Sequence, residues 1–438
     1  MELTSTALIA AGNTIRVGQV LSNPSVSLRP SWLPVIREEQ VPDRDMHVPL
    51  FDASSMHESL QQELETALLQ VLHSGQFILG ENVTVLESTI AAYCGSSYGV
   101  GVSSGTDALL IALMALDFSA GDLVLLPTFS FFATAGVVTR LGGRPAFVDI
   151  DPLSYNISLP SLEQTWERLS NDERKAVHSI IPVHLFGQCA DMQPILQFAR
   201  DREIHVIEDA AQAIGALYPA STRGQPGGSV NHPAGSMGIA GCFSFYPTKN
   251  LGAIGDGGIV VTSQSKLAER IRMLRNHGAR DGYLHDVVGG NFRLDSLQAA
   301  ILSVKFTKLE EWHTQRRANA DRYDMLLDEH GLTDQVQIPH RLFNGPNPRT
   351  HIYNQYVVRV GDRDRLRDHL RSRGIGTAVY YPLPLHRQPC FEFLSYPEGS
   401  FPESESASKE VLALPIFPGL TEGQQEYVVE KTAEFLHQ

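Results

Sequence analysis

Between residues 98 and 262, short and continuously apolar runs alternate with stretches of helical composition. The apolar runs cover residues 98–102, 123–126, 146–150, 180–185, 205–207, 243–246 and 259–262. Helical segments such as 108–116 and 192–202 separate several of them. A strand that is apolar on both sides has to be covered on both faces, which is typical of a mostly parallel sheet between layers of helices. The sequence therefore predicts an α/β fold whose ligands bind at the carboxyl ends of the strands.

The chain outside this region differs in composition. Residues 1–47 are rich in Ser, Pro and Thr, and they predict an N-terminal extension that is partly disordered or packed on a partner subunit. A Gly-, Pro- and Ser-rich stretch at 222–236 predicts a surface loop. We expect a large domain to run from residue 48 to residue 292.

A smaller α/β domain is expected over residues 293–438. Its predicted elements are one long helix from Arg293 towards Asp328, strands at 355–360 and 376–381, a charged helix at 362–373 and a last helix. Thr421 and Gln424 form a capping box that predicts where this last helix begins.

The charge and the cysteines limit the class of partner. The formal net charge is −14, from 35 basic and 49 acidic residues, which argues against nucleic acid or an anionic membrane as a partner. No apolar run approaches the roughly 20 residues that span a bilayer. The four cysteines form no CxxC pair, which favours a reducing compartment. We therefore expect a cytoplasmic protein, and a small anionic ligand stays compatible with its charge.

The first candidate site is the turn Gly101-Val102-Ser103-Ser104-Gly105-Thr106-Asp107, which follows a strand and opens a helix. Small residues at such a junction let backbone N–H groups approach a phosphate, and the helix dipole adds attraction. An ordinary strand-to-helix turn has a similar composition, so the motif by itself leaves both interpretations open.

The second candidate is His205-Val206-Ile207-Glu208-Asp209-Ala210-Ala211-Gln212, where carboxylates stand at the end of an apolar strand. A buried carboxylate needs a partner. Asp209 could pair with a cationic ring nitrogen, bind a metal or cap a following helix, and capping is the commonest of the three. Glu208 points to the other side of the strand and is expected to be structural.

The third candidate is Lys249, which follows the aromatic strand Phe243-Ser244-Phe245-Tyr246 and precedes several glycines. An ε-amine becomes a nucleophile where its environment favours the neutral or imine form. The alternative is an ordinary surface lysine in a loop. A dinucleotide fingerprint is rejected, because Gly252-x-x-Gly255-x-Gly257 has the wrong spacing and precedes a strand.

No metal site is expected from the sequence. The four histidines considered lack HExxH or comparable spacing, and each is interpreted as a core, capping or substrate-contact residue: His184, His205, His277 and His285.

The motifs follow one another in a characteristic order. The phosphate-type turn is followed by the aromatic Pro127-Thr128-Phe129-Ser130-Phe131-Phe132-Ala133-Thr134, then by Glu-Asp-Ala-Ala-Gln and by Ser-Phe-Tyr-Pro-Thr-Lys-Asn-Leu-Gly. In this order they resemble the DegT/DnrJ/EryC1/StrS family of pyridoxal-phosphate sugar aminotransferases. The resemblance covers nearly all of the chain after residue 48. It implies a fold-type-I transferase whose large domain contains a mostly parallel seven-stranded sheet.

The resemblance also implies roles for individual residues. Lys249 matches the lysine that holds the cofactor as an imine, and Asp209 matches the carboxylate that keeps the pyridine nitrogen protonated. The other matches contact the cofactor: Gln212 near the phenolic oxygen, Phe131 stacked on the ring, Gly105, Thr106 and Ser244 at the phosphate, and Asn291 at the phosphate of the neighbouring subunit. The last of these implies a homodimer with shared active sites.

The reaction that the resemblance implies transfers an amino group from an amino acid, with glutamate as the expected donor, to a nucleotide-linked keto sugar. The sequences at 246–253, 255–258 and 380–386 are similar to members that aminate C3, so C3 is favoured. Two alternatives stay open, a C4 aminotransferase and a non-catalytic regulator of the same fold that binds pyridoxal phosphate. A dehydratase branch has histidine in place of the lysine and is disfavoured by Lys249.

Overall fold

The computed structural model describes residues 46–221, 229–343 and 347–437. From Met46 onward the chain forms one compact unit. The expected extension at 1–47 lies outside the described residues, except for its last two. The helices α1–α14 are Ala53–Glu58, Gln61–Ser74, Glu81–Tyr93, Gly105–Ala115, Ala133–Arg140, Leu159–Arg168, Asn171–Ala176, Met192–Arg200, Ser265–Arg275, Ser296–Phe306, Leu309–Glu329, Arg363–Ser372, Pro402–Glu410 and Glu422–Leu436. The strands β1–β14 are Tyr98–Val102, Leu123–Pro127, Arg144–Val148, Val177–Ile180, His205–Asp209, Leu217–Ser221, Ser229–Pro233, Ala240–Ser244, Gly258–Thr262, Ala279–Asp281, Leu284–His285, Val336–Gln337, Tyr356–Val360 and Val411–Leu414.

Seven strands form the central sheet, in the order β1-β9-β8-β5-β4-β2-β3. Each neighbouring pair from β8 to β3 is parallel, whereas β9 pairs antiparallel with both β8 and β1. Six strands therefore run in one direction and one strand runs in the other. This confirms the α/β class and the mostly parallel seven-stranded sheet.

Side chains alternate along the central strands and build a core on each face of the sheet. In β2, Leu123 and Leu125 pack into one apolar cluster, and Val124 and Leu126 pack into another. All five residues of β2 are buried. Because successive side chains point to opposite faces, a strand placed between two helical layers has to be apolar throughout. This is the physical cause of the apolar runs in the sequence.

The C-terminal part of the chain contains a second sheet of three antiparallel strands, β12-β13-β14. A third apolar cluster fills the space between this sheet and the helices α11, α12 and α14. The expected capping box is confirmed, since the Thr421 hydroxyl accepts a hydrogen bond from Gln424 N and the Gln424 side chain accepts one from Thr421 N. The domain boundary at residue 293 stays a prediction.

Two predicted elements in this region were wrong. The long helix from 293 towards 328 is two helices, α10 and α11, because the N–H groups of Thr307 and Lys308 bond to carbonyls only three residues back and tighten the chain into a turn. Residues 376–381 do not form a strand. Only Ala378 pairs with Ala413, and the chain then turns towards the central sheet.

The expected surface loop at 222–236 also needs a correction. Its residues 229–233 form β7, which pairs in antiparallel register with β6. Residues 222–228 lie outside the described part of the chain. Among the helices of the described residues, none has both the length and the apolar character needed to cross a membrane.

Candidate active site

The predicted site residues come together because four strands of the central sheet end at one edge. β1, β2, β5 and β8 run in the same direction, so the segments that follow their carboxyl ends meet there. Asp209 is the last residue of β5, and Ser244 is the last residue of β8. The helix α4 begins three residues after β1. The sheet therefore gathers motifs that lie more than 100 residues apart in the sequence.

The turn before α4 has the geometry of an anion site. Ser104 caps the helix by accepting a hydrogen bond from Asp107 N at 3.0 Å. The N–H groups at the start of the helix, at Gly105 and Thr106, have no acceptors inside the helix and carry the positive end of its dipole. A Cβ atom at Gly105 would lie 2.6 Å from the Cβ of Ser244, so only glycine fits at this position. Gly105 and Ser244 are thus in direct contact, as a shared phosphate site requires.

Asp209 is almost fully buried, with 5% of its surface exposed. Its Oδ2 accepts a hydrogen bond from the Thr134 hydroxyl at 2.8 Å, and its Oδ1 accepts one from Ala211 N at 3.2 Å. Burial raises the pKa of the carboxyl, while these two hydrogen bonds and the charge of Lys249 act in the opposite direction. The capping interpretation was wrong, since turns rather than a helix connect Asp209 to β6.

Glu208 faces the other side of β5 and is fully paired. Its carboxylate accepts hydrogen bonds from three backbone N–H groups, at Gly235, Met237 and Gly238, with distances of 2.6 to 2.7 Å. His184 Nε2 lies 2.8 Å from the same carboxylate. Because Ala190 N donates to His184 Nδ1, the ring proton is on Nε2 and is donated to Glu208. The expected structural role of Glu208 is confirmed.

Lys249 follows β8 and is partly buried. Burial lowers the pKa of its ammonium group to about 8, and the charge of Asp209 opposes this shift. Lys249 and Asp209 therefore lie close enough to interact electrostatically. In the described part of the chain, the ammonium group has neither a hydrogen bond nor an ion pair. A solvated surface lysine would keep an ordinary pKa, so this environment favours the nucleophile interpretation.

Gln212 is held in one orientation by its neighbours. Its Oε1 accepts a hydrogen bond from Phe186 N at 2.6 Å, and its Nε2 lies 3.3 Å from the hydroxyl of Tyr381. The amide nitrogen thus donates one N–H group to Tyr381, and its second N–H group is left for another acceptor. Phe186 has a left-handed backbone, with φ of 57° and ψ of 3°, a conformation that costs about 1–3 kcal/mol in a non-glycine residue. This strained residue presents its N–H group to Gln212.

Phe131 and Tyr381 form the aromatic side of the site. Their ring centroids are 6.5 Å apart, and 58% of the Phe131 surface is exposed. Burial and the charge of Asp209 raise the pKa of Tyr381, so its hydroxyl stays protonated. In the sequence, Tyr381 is only one residue of the segment 380–386 that is similar to the C3 branch. Its place next to Gln212 was missed, because the two residues are 169 positions apart.

Asn291 is exposed. The next residue, Phe292, accepts a hydrogen bond from Ser103 N at 3.0 Å, so this segment runs beside the turn before α4. The role of Asn291 in the site of a neighbouring subunit stays a prediction.

The residues at this edge fit pyridoxal phosphate. Gly105 contacts Ser244 at the start of α4, where backbone N–H groups can donate to a phosphate. The buried Asp209 can pair with a pyridinium nitrogen, and the Lys249 amine has no hydrogen bond or ion pair among the residues that the structure describes. When bound, this cofactor supplies an electron-withdrawing ring that stabilises a carbanion next to the transferred nitrogen. The fold and this edge define the class of the protein, a pyridoxal-phosphate-dependent aminotransferase of fold type I.

The chain belongs to the DegT/DnrJ/EryC1/StrS aminotransferase family, whose model matches residues 58–433. It is 47% identical over 390 residues to the "Pleiotropic regulatory protein" of Geobacillus stearothermophilus, covering 89% of this chain and 99% of that protein. It is 39% identical to the UDP-N-acetyl-3-dehydro-alpha-D-glucosamine 3-aminotransferase of Acidithiobacillus ferrooxidans, over 89% and 98% of the two chains. The crystal structure of S. venezuelae DesV in complex with a ketimine intermediate superimposes with a TM-score of 0.80 at 36% identity, covering 90% and 99% of the two chains.

Proposed function

We propose that this protein transfers an amino group from an amino acid, L-glutamate, to the C3 keto group of a nucleotide-linked sugar, and that Lys249 and Asp209 are its catalytic residues. One observation carries the proposal. The partly buried amine of Lys249 and the buried carboxylate of Asp209 interact electrostatically at the sheet edge where Gly105 contacts Ser244.

Each catalytic residue has a defined task in this proposal. Lys249, with its pKa lowered to about 8, is neutral often enough at neutral pH to accept a proton from the substrate carbon and to return it to the carbon on the other side of the transferred nitrogen. Asp209 holds the positive charge on the cofactor ring through an ion pair in a site of low dielectric. Gln212 would donate the second N–H group of its amide nitrogen to the phenolic oxygen of the cofactor.

The remaining predicted residues bind and orient the cofactor. Gly105, Thr106 and Ser244 would hold the phosphate and Phe131 would stack on the ring, which would keep the reacting bond aligned with the ring system. Asn291 is proposed to complete the phosphate site of a second copy of this chain in a homodimer. Exposed apolar side chains on the segment that precedes it, Tyr283 at 97% and Val288 at 90%, support an interface there.

The choice of C3 has two supports. The motif Tyr-Pro-Thr-Lys-Asn-Leu-Gly-Ala and the Gly-Asp-Gly-Gly turn are similar to those of the C3 branch. The Acidithiobacillus relative, at 39% identity, is named as an aminotransferase that acts at position 3 of a UDP-linked sugar. Amination at C4 is the alternative within the family.

A second candidate function is regulation without catalysis. It is favoured by one observation, the name of the Geobacillus relative, which is 47% identical to this chain. The presence of both Lys249 and Asp209 supports catalysis instead, because a protein that only binds the cofactor needs no proton-transferring amine.

The wider organisation is also part of the proposal. We propose an N-terminal extension over residues 1–47, a large cofactor-binding domain over 48–292 and a small domain over 293–438. The cytoplasm is the proposed compartment, which agrees with the four cysteines being free.

An end-point assay tests the proposal. The purified chain, loaded with pyridoxal phosphate, is incubated with L-glutamate and with UDP- or dTDP-linked sugars that carry a keto group at C3 or at C4. Mass spectrometry and NMR of the product identify the aminated carbon, and Lys249→Ala is the control. We expect a 3-amino sugar. A 4-amino product would move the chain to the C4 branch, and a cofactor-loaded protein without turnover on any of the sugars would favour the regulatory function.

A further inference from the structure

The hydroxyl groups of two buried residues, Ser130 and Thr134, are connected to Asp209 by hydrogen bonds. Ser130 is 3% exposed and Thr134 is 0% exposed. The Ser130 and Thr134 oxygens are 3.0 Å apart, and the Thr134 oxygen is 2.8 Å from Asp209 Oδ2. Ser130 lies between β2 and α5, and Thr134 lies in the first turn of α5. The three side chains therefore form a continuous chain of hydrogen bonds inside the protein.

The direction of these hydrogen bonds follows from the charge of Asp209. An ionised carboxylate only accepts hydrogen bonds, so the single proton of the Thr134 hydroxyl has to point to Asp209. Thr134 then has only lone pairs left for Ser130, and Ser130 has to be the donor. With a protonated Asp209, the carboxyl proton on Oδ2 would be donated to Thr134 and both hydroxyl protons would reverse. The direction of both hydrogen bonds is thus coupled to the ionisation of the Asp209 carboxyl group.

We propose that Ser130 and Thr134 form a two-hydroxyl relay that keeps Asp209 ionised and fixes its side-chain orientation, which makes both of them positioning residues. The proposal rests on the proposed role of Asp209. Burial alone disfavours the charged carboxylate. The Asp209 carboxylate accepts a hydrogen bond from the Thr134 hydroxyl at 2.8 Å and one from Ala211 N at 3.2 Å, so the bond from Thr134 is the shorter of the two. Ser130 polarises the Thr134 hydroxyl and strengthens its donation.

The test uses Thr134→Val, which keeps the shape of the side chain and removes the hydroxyl. We expect the pKa of Asp209 to rise by about one unit, because the charged form loses a hydrogen bond. The turnover number with glutamate should fall by about 10- to 100-fold, the range expected for a hydrogen bond to a charged group. The acid limb of the pH–rate profile should move to higher pH. Thr134→Ser should restore the pKa of Asp209, the turnover number and the acid limb. Ser130→Ala should shift these three quantities in the same direction as Thr134→Val, by a smaller amount.

The same helix provides a matched control. The hydroxyl of Thr139, also in α5, has no hydrogen-bond partner in the described part of the chain, so Thr139→Val should leave turnover and the pH profile unchanged. The pKa of Asp209 is measured without cofactor, by infrared difference titration of the apoprotein with the Asp209→Asn spectrum subtracted. If the wild-type chain bound no cofactor, the proposed function would fail, and the infrared titration would still decide the relay.

The relay is overturned if Thr134→Val changes neither the Asp209 titration nor the acid limb, or if Thr134→Ser behaves like Thr134→Val. Either result would reduce Thr134 to a packing role. If Thr134→Val does not fold, Ser130→Ala provides the same measurement with a smaller expected shift, and an unchanged titration there would also overturn the relay.

Discussion

Lys249 and Lys305 are two lysines whose pKa is lowered to about 8, in both cases mainly by burial. Lys249 is partly buried at the carboxyl edge of the central sheet, where the charge of Asp209 acts on it. Lys305 is 2% exposed near the end of α10, and its ammonium lies 2.9 Å from Nε2 of His57. The same shift in pKa therefore occurs in two very different surroundings.

The difference between the two regions lies in what surrounds the amine. Lys305 has an imidazole as its hydrogen-bond partner, and burial together with the charge of Lys305 lowers the pKa of this imidazole. Lys249 has a carboxylate nearby and follows β8, whose last residue, Ser244, contacts Gly105 at the start of α4. A lowered lysine pKa by itself thus does not identify a reactive amine. A reactive amine is identified by neighbouring groups that can bind the rest of a cofactor.

The largest expected effect separates the two lysines by activity. Lys249→Ala should abolish covalent cofactor attachment trapped by borohydride and lower turnover by at least about 10⁴-fold, because it removes the nucleophile and the proton-transferring group. Lys305→Met, the matched control, should keep turnover within about two-fold. Borohydride trapping followed by mass spectrometry, together with the glutamate assay, measures both variants. Trapped cofactor in Lys249→Ala would show that another amine is the reactive one.

The next largest effect distinguishes the two lysines by the contribution of Lys305 to the free energy of unfolding. In the unfolded chain Lys305 has its ordinary pKa of 10.5, so between pH 8 and pH 10.5 the unfolded state binds more protons than the folded state. Stability should therefore rise with pH across this window, by up to about 3 kcal/mol. Lys305→Met should remove this rise and stabilise the protein at pH 7 by about 1–3 kcal/mol. Denaturant unfolding at pH 7 and pH 9.5 measures the difference, and an equal gain at both pH values would contradict the assignment to Lys305.

The smallest effect concerns the influence of Asp209 on Lys249. The rate of covalent cofactor attachment to the apoprotein should rise with pH around a midpoint near 8, since only the neutral amine reacts. Asp209→Asn removes the charge that raises this pKa, so the midpoint should fall by up to about one unit. Stopped-flow absorbance over pH 6–10 measures it, with Lys305→Met as the control that keeps the midpoint. A midpoint near 10 would mean that Lys249 is solvated.

Much of the fold could be predicted from the sequence because its signals are local. A strand that lies between two helical layers is mostly apolar on both faces, as β2 is throughout and β9 is up to its last residue, Thr262, and this can be read from five consecutive residues. The opposite orientations of Glu208 and Asp209 also follow from the alternation of side chains along a strand. The order of the motifs was sufficient to identify the family.

The sequence by itself determined the sheet class, the family and which lysine and carboxylate to examine. Only the tertiary structure decided how these groups are held. The donor to Asp209 is 75 positions away, and the residues that orient Gln212 are 26 and 169 positions away. The break between α10 and α11 was likewise hidden, since the apolar residues Ile301, Val304 and Trp312 keep a helical spacing across it. Such contacts depend on how the strands and helices pack in space, and a hydrogen bond between distant residues leaves no periodic pattern along the chain.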